Sequence, residues 1–155
     1  MRPAFRLLAG LGIAGILILV AGVAEFIHFE PPGQRSGITA RIEGVYDYDT
    51  KAGRTVGSNK DHFRTDEPFA AVVDWTSLPP DLVVVAEWFS GGFTLSAGGV
   101  GPAKAAALRD QKAVPVNFGN NRLPPGHYEF AVERYSGGRP IEVLARKTVV
   151  VVGSR

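Results

Sequence analysis

Two alternations organise the reading of this chain. Within residues 69–75, Phe69, Ala71, Val73 and Trp75 fall on one parity and Asp74 on the other. Within 82–89, Leu82, Val84, Ala86 and Trp88 share a face, and Glu87 marks the opposite one. Successive side chains of a strand point to opposite faces, so each run predicts a strand with one side in a core. Further β-branched or aromatic runs predict strands over 38–48, 93–96, 114–118, 127–135 and 141–152. The breaks between them are Pro/Gly turns such as Leu78-Pro79-Pro80-Asp81 and Gly91-Gly92. One internal stretch, 102–110, opens with Pro102 and is Ala-rich, which predicts a helix of two or three turns at most, crossing between two strands.

The segment 7–24 has a different pattern: eighteen residues without one charge, preceded by Arg2 and Arg6 and followed by Glu25 and Glu30. As a helix it spans about 27 Å, close to the hydrocarbon core of a bilayer. Flanking cations on the early side place the N-terminus in the cytoplasm and the rest outside. Residues 1–6 then form a cytoplasmic end and 7–29 a signal-anchor helix, the aromatic edge Phe26-Ile27-His28-Phe29 included. A cleaved signal peptide is the rival, with Gly22 and Ala24 spaced for cleavage after Ala24; the run is longer than the usual signal core, which favours the anchor. Both readings export residues 38–155 behind the linker 30–37, in which Pro31, Pro32, Gly33 and Gly37 alternate stiffness and freedom.

About seven strands spaced ten to twelve residues apart are what a two-sheet sandwich requires. Trp88 lies on the third predicted strand, where an immunoglobulin-type core places its large aromatic, and Trp75 ends the strand before it. Leu123-Pro124-Pro125-Gly126-His127-Tyr128 has the form of a tyrosine corner, Gly126 making the turn and the Tyr128 hydroxyl bonding back to backbone. On 141–152, Val143, Ala145, Val149 and Val151 share parity with Lys147. Either a bulge near Arg146-Lys147 shifts the register, or Lys147 snorkels at the end of the sheet.

The net charge of +2 belongs to Arg2 and Arg6, so the exported part is neutral and lacks the cation surplus that nucleic acid requires. With no Cys there is no lipobox, disulfide or thiolate chemistry, and the domain must hold together by burial alone. No nucleophile elbow, phosphate loop or His-Glu-x-x-His is present. Asp47-Tyr48-Asp49-Thr50-Lys51-Ala52-Gly53 has carboxylates two apart, but Lys51 occupies a ligand position of a calcium loop, so a hairpin turn with Gly53 at positive φ is expected. Gly98-Gly99-Val100-Gly101-Pro102 lacks the Lys-Ser/Thr of a phosphate cradle and reads as a turn. His62, beside Asp61 and near Asp66 and Glu67, is the one place where imidazole and carboxylates coincide, the basis of a small metal-dependent alternative. Tyr46, Tyr48, Phe89, Phe93 and Tyr135 fall outside the core alternation and are the candidates for a stacking platform for glycan or peptide.

The segments 69–89 and 123–152 resemble the immunoglobulin-like domains of bacterial extracytoplasmic proteins. The shared features are an apolar strand ending near Trp75, the Pro79-Pro80 turn, a strand carrying Trp88, the Pro-Gly-x-Tyr corner at Pro125–Tyr128, and a final Val-rich strand. The immunoglobulin Cys pair is missing. The resemblance covers roughly half the chain, and it implies a domain that binds, spaces or presents other modules rather than one that catalyses. The expectation is therefore an all-β, immunoglobulin-like sandwich behind one transmembrane helix. It is a non-enzymatic envelope protein without cofactor or metal, contacting membrane lipid through 7–29 and an extracytoplasmic protein or glycan through its domain.

Overall fold

The computed structural model describes residues 31, 35–91, 93–116 and 122–153. The predicted span 7–29 lies outside them; no helix among the described residues is long and apolar enough to cross a membrane. The described chain is all-β. Its strands are β1 (Arg41–Asp49), β2 (Arg54–Val56), β3 (His62–Arg64), β4 (Phe69–Asp74), β5 (Val83–Ser90), β6 (Phe93–Lys104), β7 (Ala113–Pro115), β8 (Gly126–Ser136) and β9 (Arg139–Val152). They form a four-stranded sheet in the order β2-β1-β4-β7 and a five-stranded sheet in the order β3-β9-β8-β5-β6. All neighbours are antiparallel except β3 and β9, which run parallel.

The two alternations place the core as the sequence predicts. Phe69, Ala71, Val73 and Trp75 from one sheet, with Val84, Ala86 and Trp88 from the other, are buried in a single cluster completed by Tyr128, Phe130 and Val149. Phe69 is its hinge point: its ring stacks on Phe63 at 4.3 Å and meets the edges of Trp88 at 5.1 Å and Tyr128 at 6.3 Å. Edge-on packing of this kind adds to area burial, because positive ring edges meet negative faces. Both indole N–H groups donate to backbone across the fold, Trp88 Nε1 to the Val114 carbonyl at 2.9 Å and Trp75 Nε1 to that of Gln111 at 2.8 Å. A buried indole without such an acceptor would lose the hydrogen bond it makes to water.

The tyrosine corner has the expected bond. Tyr128 Oη donates to the Pro124 carbonyl at 2.8 Å, and Leu123 is buried beneath it. The turn after β1 is also as predicted: Asp49 Oδ1 accepts from the amides of Lys51 and Ala52 at 2.9 and 3.0 Å, and Gly53 has φ of 64°.

Three expectations need correction. The stretch 102–110 is not an α-helix: β6 continues through Lys104, and only Ala105–Leu108 turn, as a 3-10 helix. The reason is pairing with β5, where Lys104 opposes Val83 and Ala103 opposes Val84. Gly101 permits it, since a Cβ there would lie 2.6 Å from the Val84 carbonyl and its φ is 109°. Captured backbone outweighs the helix preference of a few alanines too short to propagate. Second, two short strands join those predicted, β2 and β3, three residues each, whose pattern is too brief to carry a period. Third, the register shift in β9 falls at Leu144 rather than at Arg146-Lys147: Val132 opposes Ala145 and Glu133 opposes Val143. Lys147 does face inward at the end of the sheet, where Nζ meets Asp61 at 2.7 Å.

Candidate functional site

A strand that bulges changes which of its residues face inward. In β9 the extra residue Leu144 leaves the ladder, its carbonyl accepts from the Ala40 amide at 3.1 Å, and the preceding Glu142 is carried into the fold with 1% of its surface exposed. A carboxylate so placed needs partners, because burial of an unpaired charge is far more costly than burial of a paired one.

The chain just ahead of β1 supplies them. Glu142 Oε1 accepts from the Arg35 amide at 2.6 Å, the Ser36 amide at 2.7 Å and the Ser36 hydroxyl at 2.8 Å, while Oε2 lies 3.1 Å from Arg134 Nε. The Ser36 amide is the largest influence holding the Glu142 carboxyl below its ordinary value of 4.5. Burial opposes it, and the Arg35 amide, the Ser36 hydroxyl and the Arg134 charge reinforce it. The last residues of the predicted linker are therefore fastened to the domain. Sequence reasoning missed this. A lone Glu between Ile141 and Val143 looks like the polar side of an alternating strand, and the only hint is the parity conflict along β9, which shows that some residue must break register.

The five candidate platform aromatics occupy separate places. Tyr46 and Tyr48, both half-buried, share a parity on β1 in the four-stranded sheet, opposite in parity to the core residue Val45. Phe89, Phe93 and Tyr135 belong to the other sheet. Phe89 is buried at 3% exposure, Phe93 stands 51% exposed beside the β5–β6 turn, and Tyr135 lies at the far end of β8 opposite Pro140. The outer face of the five-stranded sheet carries carboxylates instead. Glu87, Ala131 and Arg146 stand in one row across β5, β8 and β9, and Arg146 Nε reaches Glu129 at 3.3 Å.

His62 is exposed on β3, and the carboxylates near it are engaged with cations. Asp61 holds Lys147 at 2.7 Å, Asp66 holds Arg64 at 3.2 Å, and Glu67 holds Lys60 at 3.3 Å. Lys60 also meets Asp47 at 2.8 Å and sits 4.8 Å from the centre of the Phe63 ring. Burial draws the Lys60 ammonium down, but bonds to Asp47 and then Glu67 reverse this and hold it above its ordinary value. Among the described residues no group of three or more His, Asp or Glu is placed to hold a metal ion. Gly98–Pro102, the weak anion-cradle motif, lies inside β6, with no helix starting at its end to supply a dipole.

Trp75, Trp88 and Tyr128, named above as structural residues, all lie in the core, and Gly126 begins β8 opposite Val151. Comparison with family models, with curated proteins and with solved structures finds no match to this chain.

Proposed function

We propose that the chain is a single-pass membrane protein whose C-terminal domain is an immunoglobulin-like sandwich outside the membrane, serving in non-enzymatic interaction or spacing. The observation that carries the proposal is the eighteen-residue uncharged run at 7–24, with arginines before it and glutamates after it, leading within a few residues to the Glu142 clamp. A tether that ends in a clamp holds a domain at a set distance and orientation, which suits presentation.

The immunoglobulin-like assignment is supported by three features. The order β9-β8-β5-β6 faces β1-β4-β7, as G-F-C-C′ faces A-B-E; Trp88 lies on the C-equivalent strand; and the tyrosine corner lies at the start of the F-equivalent strand. The non-enzymatic reading is supported by where the titratable side chains are spent, on the clamp, the turn after β1 and the ion pairs around Lys60.

The test is fractionation of cells expressing the full chain, with alkaline carbonate extraction and mass spectrometry of the N-terminus. Retention in the membrane with residues 1–30 intact is expected. A chain beginning at Glu25 would replace the anchor with a free exported domain, and recovery from cytosol would overturn the proposal altogether.

A further inference from the structure

The clamp fixes more than a joint. Arg35 and Ser36 are fastened beside β9 at the end of the sandwich where β4 gives way to the turn 75–82 and β6 to the turn 105–112. These two turns are tied into one tip: the Ala105 amide donates to the Leu82 carbonyl at 2.9 Å and the Ala106 amide to that of Pro80 at 3.1 Å. Trp75 Nε1, donating to Gln111, pins the tip from below. The surface it presents is unlike the rest of the domain. Pro79, Pro80, Ala106 and Ala107 are exposed at its crest, small and apolar, and exposed Lys104, Arg109 and Lys112 flank them.

Charge separates the two ends of the sandwich. At the tether end Arg35, Arg41, Lys104, Arg109, Lys112 and Arg139 face only Asp74, Asp81 and Asp110, Glu142 and Arg134 being paired with each other. Asp74 is spent capping Thr76, and Asp81 lies 3.1 Å from Lys104. At the other end the five cations within residues 47–67 and at 122 are matched by five carboxylates. Half-buried Tyr135 adds an aromatic of the kind that settles at headgroup level.

We infer that this end of the domain docks on the headgroups of anionic lipid in the membrane that holds the tether. The inference rests on the membrane reading proposed above. If the span ends at Phe29, only residues 30–34 separate it from the clamp, a reach of at most about 18 Å. Cations held that close act within one or two Debye lengths of a charged surface. The apolar crest enters where it need not give up hydrogen bonds, and the cations around it find phosphate.

The absence of cysteine from the sequence makes the test direct. Full chains with Ala106→Cys at the tip or Lys51→Cys at the far end are labelled with an environment-sensitive fluorophore. They are reconstituted in vesicles of phosphatidylcholine, alone or mixed with phosphatidylglycerol, that contain a quencher lipid. The expected result is quenching at position 106 about threefold stronger than at position 51, present only with phosphatidylglycerol and removed by high salt. It is also lost when K104E, R109E and K112E are added to the Ala106→Cys chain; these are exposed positions that leave the circular dichroism unchanged. Quenching at 106 that is equal in neutral and anionic vesicles overturns the docking while leaving the anchor intact. A chain that fails to float with either vesicle overturns the membrane reading itself.

Discussion

The two ends of the sandwich are held by different physics. Away from the tether, Phe63, Phe69, Trp88, Tyr128 and Phe130 form a continuous aromatic block, with Trp88 and Phe130 5.1 Å apart. At the tether end the sheets narrow onto aliphatic Val73, Val84, Leu78 and Leu144, and the closing contacts are polar: a buried carboxylate, three donors from the incoming chain and a bulged strand. Aromatic burial is non-directional and tolerates a small error in register. The clamp requires that Glu142 point inward at one residue and no other. One end is therefore robust and general, the other specific and sensitive to charge.

The largest effect that would break this contrast is at Trp88. Trp88→Ala should cost about 3–5 kcal/mol in urea unfolding, since it empties the centre of the block and leaves the Val114 carbonyl without its donor. A loss under about 1 kcal/mol would mean that the core is not organised around the rings.

Next is the clamp. Glu142→Ala should lower the melting temperature by several degrees and speed hydrogen exchange at the Arg35 and Ser36 amides by more than about tenfold, while amides of β5 and β8 keep their protection relative to the melt. Uniform loss of protection would show that the two ends are one cooperative unit. The same clamp has a pH signature. The Glu142 carboxyl is held below its ordinary value in the folded state, so the unfolded chain binds this proton first as pH falls. Its stabilisation is full above about pH 4.5 and fades as pH drops through the depressed folded value. Melting of the parent should fall across that window more steeply than melting of Glu142→Gln.

Smaller again is Tyr128→Phe, which removes the bond to the Pro124 carbonyl and keeps the ring; about 1 kcal/mol is expected from denaturant unfolding. The smallest is Lys104→Ala. Its pair with Asp81 is 63% and 87% exposed, so the change in stability should stay within about 0.5 kcal/mol.

How legible each end is in the sequence follows from the same difference. The aromatic block announces itself, because Phe69 to Trp75 and Leu82 to Trp88 each hold their parity over a full strand, and the Pro-Gly-x-Tyr corner names its own hydrogen bond. The clamp gives almost no local sign. Ser36 stands among linker residues, and its partner lies 106 positions away. The Ala-rich stretch after Pro102 misleads for a related reason: its own propensity favours helix, and only the neighbouring β5 shows that its backbone is claimed elsewhere. The parity conflict at Lys147 lies between these cases, since it shows that β9 cannot be regular throughout without saying where the irregularity lies.

Local pattern determined the strands, the turns at Gly53 and at Pro79-Pro80, the core faces and the uncharged run before the domain, because these depend on neighbours within a few residues. Tertiary structure alone decided that Leu144 leaves the ladder, that Glu142 is thereby buried, that the chain before β1 is fastened to it, and that the cations of residues 104–112 gather beside the tether. Each of these is a meeting of segments far apart in sequence, and its free energy exists only once the sheets have closed.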